Sequence, residues 1–190
     1  MKKSELRQRY LARRASLSDT DYRQKNQQLA EQLFATHPFA PFGTVHCFVP
    51  STRQREVDTW PIIRRLWTMA SVRLLVPRCD TETMALTHHE LTPDTVLKNN
   101  RWGIPEPVDS SAHSPREIDV VLVPLLAFDR QGHRVGYGKG FYDSFLNQCR
   151  ADTLKVGLSL FPAVKRIDDV FAEDVALDAV VMPEDTLVFS

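Results

Sequence analysis

The chain has few cysteines, only Cys47, Cys79 and Cys149, an odd number set far apart with no Cys-x-x-Cys spacing. That excludes a disulfide framework and a thiolate metal cluster, and it places the protein in a reducing compartment, the cytoplasm. Long apolar runs are missing as well. The longest, Val120–Phe128, is interrupted by Pro124, so no membrane span is expected. The basic N-terminus continues into Arg and Gln rather than an apolar segment, so no signal peptide is expected either. Net charge is absent, with 24 Lys and Arg against 24 Asp and Glu. Such a chain has no general attraction for nucleic acid or anionic lipid, and neither is expected as a partner. His88, His89 and His133 lack metal-ligand spacing, and no Ser/His/Asp or Cys/His arrangement marks a hydrolase.

What is present is enough apolar material for one substantial core: 190 residues, 43% of them hydrophobic. No repeat, low-complexity tract or linker divides the chain, and residues 1–190 read as one domain. Leu6, Tyr10 and Leu17 form a helical stripe over residues 3–17, and Ser18-Asp-Thr-Asp21 resembles a capping box opening a second helix through Leu29, Leu33 and Phe34. The Pro38/Pro41/Gly43 cluster ends this pair. Thr44–Val49 then reads as a strand, Asp58–Ala70 as a helix using Trp60, Ile63, Leu66 and Trp67, and Val72–Val76 as a strand stopped by Pro77. Met84–His88 reads as a strand, Pro93–Leu97 as a helical turn and Asn99–Pro115 as a loop.

Ile118–Leu126 is apolar on both faces, the pattern of a central parallel strand, and is expected to deliver the chain directly into a glycine loop. Phe141–Cys149 follows as a helix, and Leu154–Ser159, Ala179–Met182 and Leu187–Phe189 as strands. The expected fold is an open, mainly parallel α/β sheet of about six strands, with helices on both faces, an N-terminal helical pair and ligands at the carboxyl ends of the strands.

The glycine loop is the most informative stretch. In Gly132-His-Arg-Val-Gly-Tyr-Gly-Lys-Gly-Phe-Tyr-Asp143, glycines at 136, 138 and 140 let backbone amides converge on a ligand. Arg134 and Lys139 add positive charge, Tyr137 and Tyr142 add rings, and Asp143, at the start of the next helix, can hold Mg2+ against a bound anion. The run is neither a dinucleotide fingerprint nor a P-loop, and a structural turn is the competing reading. Lys3 and Arg7, one helical turn apart, can grip a polyphosphate together or form a solvated basic face. Residues 1–25 carry eight Lys or Arg against three acids. Glu56 follows the first strand, where α/β proteins place ligand groups, or is solvated; Trp102 stacks on a flat ring, or caps the core.

Six ordered motifs resemble one family. They are Lys3-x-x-x-Arg7, Arg55-Glu-Val-Asp-Thr59, Trp102-Gly-Ile-Pro-Glu-Pro107, Pro124-Leu-Leu-Ala-Phe-Asp129, the glycine loop through Asp143, and Glu173-Asp-Val-Ala-Leu-Asp178. Together they are similar to the 5-formyltetrahydrofolate cyclo-ligases, also called methenyltetrahydrofolate synthetases. The resemblance implies a ligase of one-carbon metabolism that uses ATP and Mg2+ to close 5-formyltetrahydrofolate to 5,10-methenyltetrahydrofolate. It implies ATP contacts at Lys3, Arg7, Arg134, Gly136, Tyr137, Gly138, Lys139, Gly140, Phe141 and Tyr142, with Lys139 and Arg134 as the catalytic partners of the β- and γ-phosphates. For the folate it implies Glu56, Ser51, Trp102 and Tyr137. For magnesium it implies Asp143 and Asp174, with Asp178 a competing choice for the second ligand. Without the resemblance, a sugar-phosphate isomerase or CoA-transferase on a similar sheet, or a nucleotide-binding regulatory module, remains open.

Overall fold

The computed structural model describes every residue except 38, 40, 81, 84, 109 and 190, and the side chain of residue 52 is also outside the description. In chain order the elements are α1 (Lys3–Ala15), α2 (Asp19–Thr36), β1 (Thr44–His46), α3 (Trp60–Trp67), β2 (Arg73–Asp80), β3 (Ala85–Glu90), β4 (Leu97–Asn99), β5 (Pro105–Pro107), β6 (Ala112–His113) and β7 (Val120–Pro124). They continue with β8 (Ala127–Phe128), β9 (Arg134–Val135), α4 (Phe141–Leu146), β10 (Leu154–Leu158), β11 (Ala179–Val181) and β12 (Thr186–Val188).

The main sheet has eight strands in the order β12-β11-β10-β7-β1-β2-β3-β6. The five from β11 to β2 are parallel; β12 at one edge and β3 at the other run antiparallel to them, and β6 pairs antiparallel to β3. From β1 the chain steps outward to β2, then returns and steps the other way from β7 to β10 and β11. The strand order therefore reverses between β1 and β7, and the carboxyl ends of those two strands flank the crevice where open α/β sheets bind ligands.

Alternation along the strands feeds two cores. Val45, Leu74, Val76, Val120, Leu122, Val156 and Leu158 pack against α1, α2 and α3, while Leu75, Val121, Val123 and Val180 pack against Phe145 and Leu146 of α4. Helices thus cover both faces. The α1 stripe buries Leu6 and Tyr10, and Ser18 caps α2 by accepting a hydrogen bond from the Asp21 amide at 3.0 Å. In α3, Ile62 joins Ile63 and Leu66 in the core. Gly157 in β10 has no room for a side chain, since a Cβ there would stand 2.7 Å from Leu125 and 2.8 Å from Leu177.

Several local expectations are corrected. Strand β2 runs through Pro77 to Asp80 instead of stopping. Its partner β1 ends opposite Leu75, so on that side Pro77 needs no amide proton for a ladder. Pro93 and Asp94 form an isolated turn closed by the Thr95 amide on the Thr92 carbonyl at 3.1 Å, and Leu97 already opens β4, so no helical turn forms. The expected 99–115 loop contains β5 and β6, each too short to show a period in sequence. Between β7 and the glycine loop lies a β8–β9 hairpin, pinned by the fully buried Asp129, whose Oδ1 accepts from the amides of Gln131 and His133. Pro38 and Met84, part of the expected helix stop and strand start, lie outside the described residues.

Candidate functional site

The segments after β1 and β7 carry the site, and α1 crosses both. After β1, the turn at Ser51–Glu56 folds back on itself: the Ser51 amide donates to Glu56 Oε2 at 2.7 Å. Both residues are buried. Burial pushes the Glu56 carboxyl up, opposed by the Ser51 amide, Tyr137 and the positive charge of Arg14. Tyr22 from α2 donates its hydroxyl to the Glu56 carbonyl, and Arg55, at φ 44, reaches Asp19 at 2.9 Å and the α1–α2 junction. A non-glycine residue in that region is held by its surroundings, here three acceptors and the Tyr22 ring beneath its guanidinium.

The glycine loop is open at two of its three glycines. No atom lies within 4 Å of where a Cβ would stand at Gly136 or Gly140, so a ligand can approach the backbone there. Gly138 is different. At φ +82 its missing Cβ would stand 3.0 Å from an Arg7 terminal nitrogen, and the Arg7 Nε donates to the Gly136 carbonyl at 2.9 Å. Arg7 therefore shapes the loop. Lys139 is exposed and makes no ion pair among the described residues. Tyr137 stands beside Glu56, its hydroxyl accepting from Arg14 Nη1 at 2.9 Å, and the Tyr142 hydroxyl is buried without a partner among the described residues. Helix α4 is only six residues long, so the expected dipole at its start is small and the open amides dominate.

Both predicted metal carboxylates are brought to this end, each with a cation on one oxygen. Arg134 Nη2 donates to Asp143 Oδ1 at 2.6 Å and Nη1 donates to the Val175 carbonyl. Arg134 is therefore buried against Asp143. Burial lowers its pKa, countered by Asp143 and Asp174. Lys3 pairs with Asp174 Oδ2, which also accepts from the Phe171 amide at 2.7 Å. Burial alone would raise the Asp174 carboxyl, but Lys3 and that amide more than offset it and hold it low. Asp178 is at the other end of the sheet, bridging the start of β10 through Lys155 at 2.7 and 2.9 Å. It does not meet Asp143.

Trp102 belongs to neither core. It sits half-buried in the β4–β5 hairpin under the Arg101 guanidinium, 4.3 Å from the ring centre, and Asn100 Oδ1 holds the turn through the amides of Trp102 and Ile104. The hairpin leans on the Ser51–Glu56 turn, where Arg53 lies 3.3 Å from the Cβ position of Gly103. A cleft of about 450 Å³ between α2 and α3 contains none of the predicted site residues. Sequence reasoning missed Arg14, Tyr22 and Asp169, which accepts from the Lys3 amide at 2.6 Å. Arg14 had a signal, since it lies on the Lys3/Arg7 face of α1 at spacings of four and seven.

Residues 1–183 match the model of the 5-formyltetrahydrofolate cyclo-ligase family. The chain belongs to that family. It is similar to the 5-formyltetrahydrofolate cyclo-ligase of Escherichia coli K12, 32% identical over 177 residues covering 90% of this chain and 94% of that protein. A probable 5-formyltetrahydrofolate cyclo-ligase of Caenorhabditis elegans is 25% identical over 98% of this chain and 95% of its own length. Among solved structures, the NMR structure of Aquifex aeolicus 5,10-methenyltetrahydrofolate synthetase superposes with a TM-score of 0.84 at 28% identity, covering 99% of this chain and 93% of that one. The chain is accordingly an enzyme of the cyclo-ligase family acting on 5-formyltetrahydrofolate.

Three or more His, Cys, Asp or Glu side chains do not converge on one point among the described residues. Magnesium fits nonetheless, because it is ordinarily held by one or two carboxylates together with substrate phosphates, and among the described residues Asp143 Oδ2 and Asp174 Oδ1 each accept no protein hydrogen bond. No helix among the described residues is long and apolar enough to cross a membrane.

Proposed function

We propose that the enzyme closes 5-formyltetrahydrofolate to 5,10-methenyltetrahydrofolate with ATP and Mg2+, releasing ADP and phosphate, in the cytoplasm. The observation that carries this reading is the meeting of Glu56 and the glycine loop at Tyr137, at the reversal point of the sheet. A carboxylate suited to a pterin's N–H donors stands one side chain from a loop suited to polyphosphate. A formamide oxygen is a poor leaving group, and ring closure in water needs it converted to phosphate. The formyl oxygen attacks the γ-phosphorus as the bond to the ADP oxygen breaks, leaving an iminium phosphate. N10 then bonds to the activated carbon, loses its proton, and the C–O bond breaks with departure of phosphate.

This chemistry asks for positioning and charge neutralisation rather than a protein nucleophile. The amides of Gly136, Gly138 and Gly140 face the phosphates, Lys139 is the loop cation free to meet the γ-phosphoryl oxygens, and Arg7 holds the loop's shape while Phe141 and Tyr142 close its end. Arg134 supports Asp143. Asp143 and Asp174 would hold Mg2+, which would supply charge neutralisation to the phosphates. Glu56 accepts the pterin N–H groups, Ser51 fixes Glu56 through its amide, and Trp102 and Tyr137 border the flat rings. The test is near-ultraviolet absorbance of the protein with 5-formyltetrahydrofolate and Mg2+. The conjugated methenyl bridge absorbs where the starting folate does not, so absorbance grows only when ATP is added; growth without ATP, or none from folded protein with ATP, refutes the reading.

A further inference from the structure

Arg14 has no part in the chemistry above, yet it is more deeply buried than Arg134, at 3% exposed. Its guanidinium makes two hydrogen bonds. Nη1 donates to the Tyr137 hydroxyl at 2.9 Å, Nη2 donates to the Leu125 carbonyl just past β7, and Nε is buried with no partner among the described residues. It makes no ion pair among the described residues, which for a buried charge is costly unless a carboxylate stands nearby. That carboxylate is Glu56, whose charged form Arg14 stabilises.

The geometry fixes the direction of the bonds. A tyrosine hydroxyl has one proton, and with its oxygen accepting from Arg14 the proton of Tyr137 is left to point toward the Glu56 carboxylate beside it. The Arg14–Tyr137 bond thus polarises the phenol toward the carboxylate. The groups facing Glu56 are the Ser51 amide from its own turn, Arg14 from α1, Tyr22 from α2, Tyr137 from the glycine loop and Tyr142 from α4. Arg14 is the one cation among them. Burial pushes against a charged Glu56, and the phenol between the two groups transmits the opposing positive field.

We propose that Arg14 is a positioning residue of the reaction: acting through Tyr137, it holds Glu56 as an oriented, ionised carboxylate for the pterin, and the same bond ties the folate carboxylate to the nucleotide loop. This rests on Glu56 being the folate-side carboxylate. A purely structural Arg14 would only pin α1 to the end of β7, and the two roles differ in what they do to each substrate.

The experiment is steady-state kinetics of the whole enzyme with both substrates varied. Losing a hydrogen bond to a charged group weakens binding about ten- to a hundredfold, so Arg14→Met lowers kcat/KM for 5-formyltetrahydrofolate by that factor and lowers it for ATP by at least about tenfold less. The pH at which folate kcat/KM reaches its plateau moves up, because Glu56 loses its stabilising cation. Arg14→Lys, which keeps the charge and one donor, restores most of the loss. Tyr137→Phe has a similar folate defect, and Arg14→Met/Tyr137→Phe is no worse than the worse single variant, since the two act in series. Unchanged folate kinetics in Arg14→Met, equal losses for both substrates, or multiplying defects in the double variant would overturn the proposal. Should Arg14→Met fold poorly, Arg14→Lys and Tyr137→Phe carry the same test, and a folate defect in neither overturns it. Glu56→Gln separates the two layers. If it impairs folate use while Arg14→Met does not, the proposal alone fails; if it leaves folate use intact, the Glu56 reading fails and the proposal with it.

Discussion

Asp143→Asn is the sharpest perturbation, because one charge pairs with Arg134 and, under the proposed function, also holds Mg2+. Its Oδ1 takes Arg134 Nη2 at 2.6 Å and the Val175 amide at 3.2 Å, while Arg134's side chain is only 5% exposed. An asparagine oxygen can still accept one of these bonds, but the countercharge is gone. Removing one partner of a buried pair costs about 3–5 kcal/mol. Asp143 is 32% exposed and Arg134 keeps the Val175 carbonyl, so water and that acceptor absorb part of the loss. We expect about 2 kcal/mol, which for a chain of this length is a fall in Tm of about 4–8 °C. Alongside it, the Mg2+ and ATP requirements rise steeply while folate affinity changes little. Differential scanning calorimetry and kinetics with Mg2+ varied measure the two effects separately. Arg134→Met/Asp143→Leu divides them: with both charges removed, Tm recovers to within about 2 °C of the parent, since an apolar pair replaces an ion pair at little cost. Turnover does not recover, because Asp174 is left as the sole proposed carboxylate for the metal. A Tm unchanged in Asp143→Asn would refute the structural half of the reasoning, and a fully active double variant would refute the metal half.

Two further outcomes follow from the same geometry. Lys3→Ala/Arg7→Ala raises the KM for ATP more than tenfold while the protein stays folded; Leu6 and Tyr10 still anchor α1, and unchanged ATP kinetics would return these cations to a solvated face. Acid stability is set by His46 and His88, a buried pair joined at 3.2 Å and packed on Phe145. Burial lowers both, His88 to about 4 from 6.5, so their neutral forms stabilise the fold fully above pH 6.5. That stability is lost as pH falls from 6.5 toward 4, because the unfolded chain takes up protons first. Calorimetry across this window shows Tm falling with proton uptake on unfolding, and a flat Tm between pH 6.5 and 5 contradicts the assignment.

Elements with a long apolar period were legible in the sequence. Helices α1 and α2 break where Ser18 caps, and β7 stands where an unbroken Val/Leu run demanded burial on both faces. What was illegible is short or decided by neighbours. Pro77 stays in a strand because of where β1 ends, a fact absent from residues 72–80 themselves. Strands β6, β8 and β9 have two residues each and exist through their partners. The open backbone of the glycine loop was readable because glycine spacing is a backbone property. The pairing of the candidate site's cations was not. Lys3 with Asp174 and Arg134 with the Val175 carbonyl join residues 171 and 41 positions apart, and charge counts reveal neither.

These long-range pairs give α1 a role out of proportion to its contribution to the core. Its one inward face carries Leu6 and Tyr10 into the apolar layer and, interleaved with them, Lys3 to Asp174, Arg7 to the Gly136 carbonyl, and Arg14 to Tyr137 and Leu125. Among the described residues no ladder hydrogen bond attaches α1 to the sheet; side chains hold it there. Asp174, the Gly136 carbonyl and the Tyr137 hydroxyl acquire these partners only when α1 is seated, so assembly of this part of the candidate site and α1 docking are one equilibrium. A ligand that binds only the assembled loop then stabilises the seated helix, and the seated helix raises the affinity for that ligand by the same factor. The first helix of the chain is thus the clasp of a site whose backbone comes from the middle of the sequence and whose second carboxylate comes from near its end.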